Sequence, residues 1–112
     1  MKSFLVLFRE PDGRTGKHTE EAIRKHQENW KDWWGRWAKD GQLAGGTGLT
    51  LNGIMVMSKD GPLIKEVHKT GTEIVGGFLL LKADDLDKAA EIVQSCPIFE
   101  FGGYAEIREM QQ

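Results

Sequence analysis

Short unbroken apolar runs alternate along this chain with stretches in which apolar residues recur three or four positions apart. The first run, Phe4-Leu5-Val6-Leu7-Phe8, is apolar without alternation and predicts a central strand covered on both faces. Turn formers between Glu10 and Gly16 predict a loop. From Thr19 the pattern becomes helical. Thr19 is the expected N-cap, Glu20 and Glu21 occupy the first turn, and the helix runs to about Asp40 and stops at Gly41. Acid-before-base pairs four residues apart (Glu20/Arg24, Glu21/Lys25, Asp32/Arg36) support it slightly.

Beyond that helix, Gly41 to Gly48 reads as a flexible polar loop. Ile54 to Met57 reads as a short strand, Lys59 to Pro62 as a turn and Leu63 to Lys69 as the return strand. Glu73 to Lys82 holds Ile74, Val75, Phe78, Leu79, Leu80 and Leu81 and is the strongest strand pattern. Asp84 or Asp85 caps a second helix with Leu86, Ala89, Ala90 and Val93 on its apolar stripe, and Pro97 ends it. A last strand spans Tyr104 to about Glu109. This order predicts an α+β fold: a ferredoxin-like βαββαβ plan with an extra β-hairpin, its antiparallel sheet carrying helices on one face. Two helices leave the other face bare, so a homodimer is expected. A length of 112 residues fits a single domain over 1–112.

Charge and composition narrow the function classes. Fifteen basic and seventeen acidic residues give a net charge of −2, with no basic run, so no nucleic-acid partner is expected. The first apolar run is too short for a signal-peptide core or a membrane span, so no membrane partner is expected. The one cysteine, Cys96, can form no internal disulfide. A reducing, cytoplasmic location follows as the expectation.

Candidate chemistry gathers on the first helix. His26, Trp30, Trp33 and Trp37 fall on one face at about 100° per residue, and Trp34 lies at the edge of that stripe. An imidazole among indoles is a candidate catalytic acid/base; the plainer alternative is a packed histidine with both nitrogens satisfied. Trp30 and Trp34 are candidate walls of a ligand cleft, and the alternative for each indole is core packing. Asp60 is a candidate ligand contact, although Asp60-Gly61 also suits a hairpin turn. Glu66, His68, Glu73 and Arg108 are strand residues whose face depends on register. No metal is expected, because His18, His26 and His68 lack ligand spacing. No cofactor is expected: Gly45-Gly46-Thr47-Gly48 lacks G-x-G-x-x-G and leads from a helix into a strand, the reverse of a phosphate-binding loop. Cys96 has no neighbouring base and reads as a quiet small residue.

The C-terminal third carries a resemblance. Glu73-Ile74-Val75-Gly76-Gly77-Phe78, then Ala83-Asp84-Asp85-Leu86-Asp87-Lys88-Ala89, Cys96-Pro97, Gly102-Gly103 and Glu106-Ile107-Arg108 together resemble the YCII-related proteins, most closely their DGPF-type branch. The resemblance implies a dimeric α/β barrel of ferredoxin-like subunits. It also implies an acid/base role for His26, which matches a first-helix histidine of that family, and it places Glu73 in a family-like segment. Asp60-Gly61-Pro62-Leu63 stands either for the branch's namesake motif or, without a gap, for an earlier hairpin turn. Where the wider family often has an acidic residue before the proline, this chain has Cys96, so that carboxylate cannot pair with His26. Relatives include a dehydrochlorinase of aromatic degradation, and DGPF-type proteins are often encoded beside alternative sigma factors. Two functions follow as expectations. One is a cofactor-independent isomerase or lyase using His26 on a small cyclic or aromatic substrate. The other is a non-catalytic small-ligand-binding or regulatory accessory protein.

Overall fold

The computed structural model describes residues 1–111. In chain order the elements are β1 (Lys2–Glu10), α1 (Glu20–Lys39), β2 (Leu43–Gly48), β3 (Met55–Val56), β4 (Leu63–Ile64), β5 (Ile74–Ala83), α2 (Leu86–Val93), a 3-10 helix (Pro97–Phe101) and β6 (Tyr104–Glu109). One antiparallel sheet has the order β2-β5-β1-β6, and β3 pairs with β4 in a separate ribbon. That strand order, with α1 and α2 as crossovers, is the ferredoxin-like arrangement expected from the pattern.

Local chemistry explains the boundaries. The Thr19 hydroxyl accepts from the Ala22 amide at 3.1 Å and starts α1. Gly41, at φ +76, ends it in a conformation that costs glycine little. Asp85 rather than Asp84 caps α2, accepting from the Lys88 amide at 2.8 Å. Pro97 opens the 3-10 helix instead of closing α2, since a ring at the first helical position removes only an orphan donor.

The core lies between the sheet and the helices. Phe4, Val6 and Phe8 of β1 and Leu79 and Leu81 of β5 are buried against Trp33, Ala89, Ile92 and Val93. Leu5 opposite Leu80, and Leu7 opposite Phe78, share the other face and remain half-buried. The expectation of two covered faces for β1 therefore holds for only one face within a single chain. The 19 Å thin dimension of the molecule is that of one helix layer on one sheet.

Two further expectations are corrected. The segment expected as a loop over Gly41 to Gly48 contains β2, an edge strand of the main sheet. Its glycines hide it from propensity, but two of them are needed there. Gly45 and Gly46 have φ of +143 and +140 beside a register shift, and a Cβ on Gly46 would collide with the Phe78 carbonyl. The return strand expected over Leu63 to Lys69 is only two residues long, because its partner β3 has just two residues to pair. The ribbon leaves Val56, Met57 and Leu63 exposed.

Candidate active site

A cleft of about 870 Å³ opens between α1, the loop after β1, the 3-10 helix and the ends of β2 and β5. Its floor is largely backbone: Gly46, Gly48, Gly76 and Gly77 line it without side chains. Gly77 also lies so close to β2 that an added Cβ would stand 3.0 Å from the Thr47 carbonyl. The aromatic walls come from Phe8, Trp30, Trp34 and Phe101.

His26 projects from α1 into this wall with 18% of its side chain accessible. Its Nδ1 is 2.8 Å from a Glu100 carboxylate oxygen, and the other Glu100 oxygen accepts from Asn29 Nδ2 at 2.9 Å. On the opposite side of the ring, Trp30 Nε1 donates to His26 Nε2 at 3.0 Å. These two neighbours assign the tautomer. An ionised carboxylate only accepts and an indole N–H only donates, so Nδ1 carries the hydrogen and Nε2 presents the lone pair. Phe101 lies between two imidazoles: its ring centroid is 3.8 Å from that of His18, nearly parallel, and 4.3 Å from that of His26. His18 thus reaches the mouth of the cleft although nothing in its sequence spacing marked it.

Glu10 and Arg14 also line the cleft, as an ion pair. Arg14 Nε and Nη2 bind the Glu10 carboxylate at 3.0 Å, and Nη2 also donates to the Gly76 carbonyl at 2.9 Å. The Glu10 hydrogen bond keeps the Arg14 guanidinium's pKa above its usual value against the opposing effect of burial. A Cβ on Gly76 would meet the Glu10 carboxylate, so the Glu10–Arg14 pair in its present place relies on the missing side chain. The loop that carries Arg14 is tied by Asp12, which accepts from the Arg14 and Gly16 amides at 3.0 and 3.1 Å.

The other candidates lie elsewhere. Trp33 is core, its indole donating to Ser95 Oγ at 2.9 Å. Trp37 packs against the core with Arg36 over its ring, and its buried Nε1 has no partner among the described residues. Asp60 lies in the bend joining β3 to β4, outside the cleft. Glu73 also lies outside it, accepting from Tyr104 Oη at 2.7 and 2.8 Å and standing 3.7 Å from Arg9. Arg9 donates to Glu106 at 2.8 Å, and that hydrogen bond holds the Glu106 carboxyl below its usual range. Glu66, His68 and Arg108 do not line the cleft. Cys96 is buried, and desolvation pushes its thiol up to about 11. Glu100, which carried no signal in the sequence, supplies the carboxylate that Cys96 cannot.

Fold and site together describe a ferredoxin-like α+β protein with a histidine–carboxylate pair in an aromatic cleft over a glycine floor. The model of the YCII-related domain matches residues 13–111, and the chain belongs to the YCII-related family. Its structure is similar to that of 5-chloro-2-hydroxyhydroquinone dehydrochlorinase (TftG) from Burkholderia phenoliruptrix AC1100, solved in complex with 2,5-dihydroxybenzoquinone. The TM-score is 0.51, with 12% identity, covering 97% of this chain and 93% of that one. At that identity the likeness concerns the fold. No curated protein matches the sequence. Among the described residues no helix is long and apolar enough to cross a membrane.

Proposed function

We propose that this protein is a cofactor-independent enzyme in which His26 moves a proton on a small cyclic or aromatic organic substrate. The observation that carries this reading is the 2.8 Å contact between His26 Nδ1 and Glu100 in the wall of the cleft. A carboxylate behind one imidazole nitrogen orients the ring and stabilises the imidazolium once the other nitrogen has taken a proton. In an elimination, Nε2 takes a proton from the substrate, the electron pair so freed forms a double bond, and the leaving group departs as an anion. In an isomerisation, Nε2 returns the proton at a second position. Neither route transfers electrons to an external acceptor. Trp30, Trp34 and Phe101 supply flat apolar walls suited to a ring. The similarly folded TftG is a dehydrochlorinase by name; extending such chemistry to this chain is part of the proposal, since fold alone does not carry function.

One observation favours a second reading. The His26 Nε2 lone pair already accepts the Trp30 N–H, as expected of a ligand-binding or regulatory accessory protein whose histidine is structural. Turnover separates the two. Wild type, His26→Ala and Glu100→Gln are incubated with 5-chloro-2-hydroxyhydroquinone and related hydroxylated rings, and chloride release and absorbance are followed. The enzyme reading expects His26→Ala to abolish turnover with ring affinity kept within about threefold. Binding without turnover, weakened by His26→Ala, establishes the accessory reading instead.

The proposed unit is a homodimer closed over the bare sheet face, supported by the half-buried Leu5, Leu7, Phe78 and Leu80 there. Sedimentation at micromolar concentration tests it. A cytoplasmic location is part of the same proposal, supported by the single, buried thiol.

A further inference from the structure

The geometry points to Trp30 as a latch on His26. Its indole N–H occupies the Nε2 lone pair in the resting protein, and a ligand engages His26 only by supplying its own hydrogen-bond donor in place of the indole. The inference rests on the acid/base reading of His26 and concerns how that site is opened.

Three observations carry it. The contact is short, 3.0 Å, and the two rings stand edge to face at 89°. His26 and Trp30 are one helical turn apart, so α1 presets their approach without any ligand. The indole is steadied by edge contacts with Phe8 and Trp33, at centroid distances of 5.2 and 5.8 Å. Yet Trp30 is only half-buried and borders the cleft, so it has space to turn into. The Nε2 atom has one lone pair, and two donors cannot share it at full strength. Whatever displaces the indole must itself donate, so the ligand class is a flat ring bearing a hydroxyl. While Nε2 stays unprotonated, a ring that only accepts, such as an ether, cannot take the indole's place on it. Trp30 is therefore a positioning residue: it fixes the acceptor state of Nε2 and selects for donors.

The test uses the intact protein labelled with nitrogen-15. A scalar coupling across the N–H···N bond between Trp30 Nε1 and His26 Nε2 is expected in the free protein. Millimolar phenol should abolish that coupling, and anisole, the same ring without the donor, should leave it intact. Carbethoxylation by diethyl pyrocarbonate, read residue by residue by mass spectrometry, gives an independent measure with exposed His68 as internal standard. In Trp30→Phe the His26 rate relative to His68 should rise about three- to tenfold, the range expected when one neutral hydrogen bond no longer blocks the atom. Absence of the coupling, its survival in phenol, equal displacement by anisole, or an unchanged ratio in Trp30→Phe each overturns the latch. None of these readouts needs turnover. A failed latch therefore leaves the acid/base reading to its own assay, and an inactive His26 leaves the coupling measurable.

Discussion

Removing the Glu100 carboxylate is the most direct perturbation of this site. Glu100→Ala deletes two hydrogen bonds to an ionised acceptor, from His26 at 2.8 Å and Asn29 at 2.9 Å. Buried bonds of that kind contribute about 1.5–3 kcal/mol each. With 39% of the Glu100 side chain accessible, solvent screening reduces the combined loss to about 1–2 kcal/mol. For a chain of this length that corresponds to a fall in Tm of roughly 4–8 °C. The stronger statement concerns coupling. In a His26→Ala background the same deletion loses only the Asn29 bond, so a double-mutant cycle should return about 1 kcal/mol between residues 26 and 100. Urea unfolding at one fixed protein concentration measures it, because association would otherwise shift apparent stability. A coupling below about 0.3 kcal/mol would mean that Glu100 and His26 do not act as a pair, and the orientation of the ring would need another source.

Three further outcomes are expected. Gly76→Ala sets a Cβ on the Glu10 carboxylate, which must swing aside and loosen its pair with Arg14, and should cost about 0.5–1 kcal/mol by thermal unfolding; in a Glu10→Ala background the cost should largely vanish, and an equal cost there would show that the clash is not the cause. Cys96, with its thiol pushed up to about 11, is only about 0.1% thiolate near pH 8, so iodoacetamide should label it slowly in native protein and quickly in urea; native labelling at the unfolded rate refutes its burial. The Glu106 carboxyl, held low by Arg9, favours the folded state fully above the ordinary glutamate pKa, and that contribution is lost as pH falls through the lower native value; Glu106→Gln should therefore flatten the acid side of a stability-against-pH curve, and an unchanged curve refutes the linkage.

Most of the architecture was legible because burial imposes a period. The apolar run of β5 and the capped, aromatic-striped α1 read directly as strand and helix, and so did α2 and β6. β2 did not, because its fitness for the sheet lies in what its glycines lack, and propensity registers only what side chains add. The site divides in the same way. His26, Trp30 and Trp34 share a helix and were visible together by spacing. Glu100 meets His26 only after the chain has formed the sheet and returned through the 3-10 helix, so no local pattern could pair them. Asp60 and Glu73 drew notice through local motif and resemblance. A bend and an outer cluster around Arg9 account for where they sit.

A cleft paved with main chain has a consequence for how such a protein diversifies. The main chain at Gly46, Gly48, Gly76 and Gly77 is committed to the pairing of β2 with β5, and it gives a ligand a flat surface free of side chains. Discrimination is left to the roof, made by α1, the 3-10 helix and the loop bearing Arg14. Exchanges on that roof can retune which molecule is held while the strands beneath keep their register, so new specificities are open to the chain without reworking its foundation.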